Sequence, residues 1–457
     1  MTWLEKITDH PLVLFSDFRK FFIGDMLVAV AERYFAITFA WWLVSKEGEN
    51  GFWLGVLMSL EALPILFLSP FVGPLIDRYD KKKCMLFGVC MQTFFVSIIC
   101  FLIFNGRLEF PYLCLLSFLM SCCIPVFEDA VSASVALLVD AKHLPGATAI
   151  QSSTIEFSNI FAAVISTSVI AATSVEIAVA VNVGLYVIGI LFLLCIKSNL
   201  SVTAKAAVED GSEKDSEGEE IEGNYFAELK AGFAYISGNK AMLWYALVYA
   251  LETFFIVPIF ILIPMLVKNV LHQTVNWVAV FETSLSIGAV LMAVFLSFRE
   301  RYRNFYETYA GGLLFVGLFM IGMGVVRDGR IMAGMIFFIG ALFAMLMALS
   351  FTMFQEVVPG NLKGRFFGVI STIAAGMSPL SYMTVGIFSD WFSTTTVLIF
   401  NGTGAILLSI VLLRIPRLLQ HIGVDDAAGL VGVVGVNNVD APKGTAGKNG
   451  EEKQEGL

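Results

Sequence analysis

The sequence predicts an all-α integral membrane protein, twelve transmembrane helices in two pseudo-symmetric six-helix bundles. Three observations carry this expectation. Hydrophobic residues make up 57% of the 457 and charged residues only 15%, with a mean hydropathy of +0.80. That is too little charge to cover a water-soluble chain of this size. Twelve runs reach the roughly 20 apolar residues that a helix needs to cross a bilayer. One acidic stretch then divides those runs into six and six.

In chain order the spans are expected at roughly 21–45, 52–76, 85–105, 112–138, 149–172, 175–196, 240–267, 274–298, 306–326, 330–354, 366–390 and 395–415. Turn chemistry separates several of them, as at Asn105-Gly106-Arg107 and Arg327-Asp328-Gly329-Arg330. Residues 1–20 carry Glu5, Lys6, Asp9, Asp17, Arg19 and Lys20 with no apolar segment. They do not read as a signal peptide, and the first span is expected to act as an uncleaved insertion signal. The expected organisation is a first bundle over 1–196, a linker with an amphipathic helix over 197–239, a second bundle over 240–416, and a disordered tail over 417–457.

The linker holds Glu209, Asp210, Glu213, Asp215, Glu217, Glu219, Glu220 and Glu222 against one lysine in VEDGSEKDSEGEEIEG. Such a run repels itself and stays solvated, which suits a spacer. Phe226, Leu229, Phe233 and Ile236 follow at helical spacing, with Asn224 and Gly238 able to cap the ends. This reads as a short amphipathic helix lying on the membrane surface.

Lys and Arg set the orientation. With the N-terminus inside, 23 of the 29 fall in inner loops and termini and five outside (Lys46, Arg107, Lys268, Arg327 and Arg330), leaving Arg33 within the first span. Both termini are therefore expected to be cytoplasmic. The seven cysteines lie in or beside apolar runs of the first half without metal-finger spacing, and read as packing residues. No nucleotide-binding loop, hydrolytic triad or metal-ligand cluster is legible, and His10, His143, His272 and His421 are scattered. No enzymatic activity, cofactor, metal or nucleic acid is expected.

GPLIDRYDKKKCML joins spans two and three. Its bases satisfy the inside bias, but Asp77 closes a helix, where the dipole disfavours a carboxylate. It should face something positive, and Gly73 on the same face would permit close approach by a neighbour. The pattern G-x-L-x-D-R-x-x-[RK], met by Gly73, Leu75, Asp77, Arg78 and Lys81, resembles the loop-2/3 signature of the major facilitator superfamily, with Asp80 in place of its usual second glycine. The resemblance implies a transporter whose loop locks two six-helix halves together when it opens outward, the Asp meeting the start of helix eleven, here Lys363-Gly364-Arg365-Phe366. GRFFGVISTIAAGMSPLSYMTVGIFSD and FRKFFIGDMLVAVAERYFAITFAWWLV are similar to the branch that includes macrolide efflux pumps and the enterobactin (siderophore) exporter. Neighbouring drug–proton antiporters carry an Arg in helix four and a Gly-Pro element in helix five, and both are missing here. The resemblance therefore does not supply their particular scheme of proton antiport.

An ionisable group at mid-span costs at least about 2.5–3.5 kcal/mol and is a functional candidate by default. The spans hold seven such acids, Glu32, Glu61, Glu128, Asp129, Glu156, Glu252 and Glu282, against one base, Arg33. Glu32, Arg33, Glu128, Asp129, Glu156 and Glu252 are the candidates for substrate and proton coupling, with Glu32 and Glu252 as alternative partners of Arg33. One Arg cannot neutralise seven carboxylates. An acid-rich cavity with Phe, Met and Trp walls suits an amphipathic, cationic or metal-complexed ligand. Trp41-Trp42 reads as an interfacial anchor. Pro64, Pro70, Pro74, Pro258, Pro264 and Pro379 mark expected bends.

The function expected is proton-coupled efflux of a small amphipathic drug or siderophore by alternating access, by a monomer in the bacterial inner membrane surrounded by lipid. The alternatives are transport of a lysophospholipid or metal chelate, or a transporter-like sensor or scaffold.

Overall fold

The computed structural model describes residues 10–46, 51–198, 200, 233, 236–238, 240–298, 305–358 and 363–422. The acidic linker and the tail beyond 422 lie outside the described residues, as does the expected amphipathic helix apart from Phe233 and 236–238. Among the described residues, twelve helices are long and apolar enough to cross a membrane. Span one is Ser16–Ser45, two Gly51–Arg78, three Lys81–Phe104, five Leu144–Ala172 and six Val175–Leu194. In the second half, span eight is Asn276–Ser297, nine Phe305–Val325, ten Gly329–Val357, eleven Lys363–Trp391 and twelve Thr394–Ile422.

Two spans are broken, and prolines account for both breaks. Span four, expected as one helix, is Phe110–Ser121 and Ile124–Leu138, interrupted at Cys122–Cys123 ahead of Pro125. Proline lacks the N–H that would continue the hydrogen-bond ladder. Span seven is Lys240–Ile256, then Ile259–Met265, ending in a π-helical turn Leu266–Val270. Pro258 leaves the carbonyl of Phe254, four residues earlier, without its helical donor, and the Ser381 hydroxyl of span eleven donates to that carbonyl instead. The bend expected at Pro258 is thus held by a second helix.

Packing repeats with a period of six. In the first half span one lies on five and six, three on four and six, and two on four. In the second half seven lies on eleven and twelve, nine on ten and twelve, and eight on ten. Adding six to each number converts one set into the other. The halves join in the same way, span two against eleven and span five against eight. Glycines permit the tightest contacts: a Cβ on Gly288 of span eight would run into the carbonyl of Phe337 on span ten. A carbonyl cannot swing aside as a flexible side chain can. Gly288→Ala should therefore destabilise the purified protein by about 1–3 kcal/mol, read as a lower unfolding temperature. Gly73→Ala is the control, because no described atom lies within 4 Å of its added methyl, and its unfolding temperature should not fall.

Polar contacts gather the helix ends that share the N-terminal face. Asp17 accepts from the Lys197 N–H at 3.1 Å and the Ser198 N–H at 2.8 Å, tying the start of span one to the chain leaving span six. Lys82 donates to the carbonyls of Leu194 at 3.1 Å and Ile196 at 2.6 Å, where the end of span six favours a cation. Asp80 caps span three by accepting from the backbone of Lys82 at 2.8 Å. That cap gives a physical use to the aspartate standing where the resembled pattern has glycine.

Candidate functional site

A two-lobed cavity lies among spans one, four and five, with span two closing one lobe. One lobe, about 330 Å³, meets Glu32 and Arg33 of span one, Glu61 of span two, Ser121 and Glu128 of span four, and Asn159 of span five. The other, about 390 Å³, meets Asp25, Glu32, Glu128, Thr148, Gln151 and Ser152. Glu32 and Glu128 border both lobes. Thr148 and Gln151 lie near the start of span five, so the second lobe runs toward the N-terminal face.

Span one supplies the charged wall because of helical arithmetic. Residues seven apart are two turns apart and nearly superimpose in projection, so Asp25 stands on the same face as Glu32 with Ala29 between them. Asp25 is 5% exposed and accepts from the Gln151 amide at 2.7 Å. Asp25 is not one of the acids that the sequence marks as candidates, and its seven-residue spacing from Glu32 is the signal that points to it. Ser121 and Glu128, on either side of the break in span four, line the same cavity wall.

Arg33 is engaged across the halves. Its guanidinium donates to Glu282 of span eight at 2.6 Å and lies over the Phe260 ring of span seven, 4.7 Å from the centroid. Neither expected partner, Glu32 or Glu252, takes this position. Position along the sequence could not name the partner, because the pair is made between side chains of the two halves, 249 residues apart. Glu252 instead lies within the second half, 1% exposed, accepting from the Tyr309 hydroxyl of span nine, which also accepts from Ser350 of span ten at 3.2 Å. It does not line either cavity lobe.

The remaining candidates separate. Glu156 is half-buried on span five, with Asn159 and Ser286 beside it and Arg33 in electrostatic range. Asp129 is half-buried next to Glu128 but does not line a lobe. In the loop motif, Arg78 is exposed, whereas Lys81 is buried and engaged. The side chains of Asp77 and Arg365 lie outside the described residues. The close neighbour expected at Gly73 is not among the described atoms. Spans two and eleven instead approach at their opposite ends: Asp390 accepts from the Phe52 N–H at 3.1 Å, and Ser59 donates to the Pro379 carbonyl at 2.8 Å. The two helices are joined at the end away from the N-terminal face, while their glycines Gly73 and Gly368 meet no described atom within 4 Å. No group of three His, Cys, Asp or Glu suited to a metal occurs among the described residues.

Comparison with known proteins bears on this architecture. The chain is 21% identical over 405 residues to macrolide efflux protein A of Streptococcus pyogenes, covering 86% of this chain and 94% of that protein. It is 22% identical over 334 residues to macrolide efflux protein A of Enterococcus faecalis, covering 70% and 96% respectively. Among solved structures, nucleoside transporter NupG aligns with a TM-score of 0.68 at 11% identity, over 87% of this chain and 98% of that one. A peptide transporter POT in complex with sulfate gives 0.65 at 12%, over 89% and 96%. The sequence profile of the Major Facilitator Superfamily matches residues 21–382. With twelve spans in two halves related by a shift of six, and a polar cavity among them, the chain belongs to the Major Facilitator Superfamily and is a multi-pass membrane transporter.

Proposed function

We propose that the protein exports small cationic amphipathic compounds, using the proton gradient across the bacterial inner membrane and working by alternating access. The observation that carries this reading is the charge of the cavity: Asp25, Glu32, Glu61 and Glu128 border it, while its one basic residue, Arg33, is held by Glu282. A cation entering that space meets carboxylates, and Phe35, Met120 and Ile124 supply apolar wall beside them. Carboxyl groups that face the cavity can exchange a proton for a cationic substrate. Glu32 and Glu128, which border both lobes, are the leading exchange sites. The names of the Streptococcus and Enterococcus relatives support efflux over uptake.

The excess of Lys and Arg on the N-terminal face supports cytoplasmic termini. On that reading the cavity opens inward and the span two–span eleven contacts close the outer side. Asp77 and Arg365 then belong to the clamp that forms on the inner side in the opposite conformer, where Gly73 would admit span eleven.

Inside-out vesicles with an imposed acidic interior should accumulate a lipophilic quaternary ammonium, whose charge is permanent, more than a neutral analogue of equal size and more than vesicles lacking the protein, and a protonophore should abolish the difference. Equal accumulation of the two, or accumulation untouched by the protonophore, removes the proposal. Labelling from outside intact cells supplies the orientation arm: in a cysteine-free background a Cys at Lys82 should stay unlabelled.

A further inference from the structure

Arg33 stands between two spaces. It borders the cavity lobe that meets Glu32 and Glu61, and also a narrow pocket of about 10 Å³, barely room for one water. Ile37 and Ala40 of span one, Phe260 and Pro264 of span seven, and Val278 and Glu282 of span eight line that pocket. None of these six borders either cavity lobe. Ile37 and Ala40 follow Arg33 along span one, so the pocket lies on the side of the guanidinium away from the N-terminal face. A cation leaving the cavity in that direction must pass a like charge.

The guanidinium fills its seat incompletely. It can donate five hydrogen bonds, yet among the described residues Arg33 makes one, to Glu282 at 2.6 Å, and its buried Nε has no partner. Arg–carboxylate pairs are frequently two-pronged, and this one is single. The seat itself suits other cations. Glu282, only 3% exposed, supplies the negative charge, and the Phe260 face lies 4.7 Å from the guanidinium carbon. An aromatic face recognises a quaternary ammonium as well as a guanidinium. Arg33 also has somewhere to go: Glu61 and Glu156 of its own half are in electrostatic range, and one buried oxygen of Glu61 has no partner. A cation that takes Glu282 while Arg33 turns to these acids leaves no charge stranded in the membrane.

We propose that Glu282 and Phe260 form a second binding site for organic cations, beyond the acidic cavity, which Arg33 fills in this conformer and yields to a transported cation. The site rests on the proposed export for its supply of cations, but it is read by binding, without vesicles or a gradient. Loss of proton-driven export leaves the site standing, and loss of the site leaves export through the acidic cavity standing.

Binding of labelled tetramethylammonium to the purified full chain in lipid nanodiscs supplies the test. Arg33→Ala empties the seat and should tighten binding about tenfold, the change in affinity that 1.4 kcal/mol represents. Added to Arg33→Ala, Phe260→Leu should reduce that gain about fivefold, as loss of a cation–π contact does, and Glu282→Gln should abolish it. Arg33→Gln, neutral but still able to donate to Glu282, replaces Arg33→Ala if that variant does not fold, with the same direction expected. Unchanged or weaker binding in the folded Arg33 variant would show a pair that only supports the fold. A gain that Phe260→Leu and Glu282→Gln leave untouched would place the cation among the cavity acids. Either result rules the second site out.

Discussion

Neutralising either member of the Arg33–Glu282 pair is expected to destabilise the protein by about 3 kcal/mol and to reduce transport, and exchanging the two charges should recover much of both. The pair is 2.6 Å long and joins span one of the first half to span eight of the second. Glu282 is 3% exposed and the Arg33 side chain 19%. Removing one partner of a buried pair strands the other charge and costs about 3–5 kcal/mol of stability. Arg33 borders the cavity, so the lower end of that range applies. Arg33→Leu and Glu282→Leu are compared with the double variant Arg33→Glu/Glu282→Arg, measuring vesicle transport and unfolding temperature together. The double variant should keep the cross-half attraction but lose the seat of the guanidinium over Phe260, so recovery will be partial. Single variants that transport at the wild-type rate would show that the pair links the halves without contributing to the cycle.

Glu32→Gln is expected to abolish coupled transport, whereas Glu252→Gln should leave most of it. The two acids occupy spans one and seven, which correspond under the shift of six spans, yet their surroundings differ. Glu32 borders both lobes of the cavity. Glu252 is enclosed by its own half and bonded to Tyr309. A glutamine at 252 retains a carbonyl that can accept from the Tyr309 hydroxyl, so the expected loss is the difference between a charged and a neutral hydrogen bond, about 1 kcal/mol of stability. At 32 a glutamine removes a proton site that faces substrate. Proton flux on substrate addition, in vesicles of each variant, gives the answer. Full coupling in Glu32→Gln would move the exchange site to Glu128 or Asp25, and loss of flux in a folded Glu252→Gln would place a second proton site in the other half.

The twelve spans were legible because crossing a bilayer imposes a length and a composition that any run of about 20 residues either meets or fails. Even so, the sequence read span four as continuous. A proline's effect depends on whether neighbouring groups can accommodate the missing bond, and at Cys122–Cys123 the helix interrupts. The bend at Pro258 was readable from proline chemistry, but its repair by Ser381 was not, because that hydroxyl comes from a helix 127 residues away. Asp80 as a cap illustrates the opposite case: its two acceptor contacts fall within three residues of it, so local sequence contained everything needed to explain it.

By itself the sequence determined the membrane class, the number of spans, the division into six and six, and the presence of intramembrane charges, since each depends on local composition or on a periodic count. Only the tertiary structure decided which charges meet. It gave Arg33 to Glu282, removed Glu252 to a separate network, and brought Asp25 onto the cavity wall with Glu32 and Glu128. The physical reason is that hydropathy fixes a residue's depth, whereas pairing also requires the rotation of each helix and the identity of its neighbour. Those are set by close approach at glycines such as Gly288 and by contacts such as Ser59 with Pro379, which join residues distant in the chain.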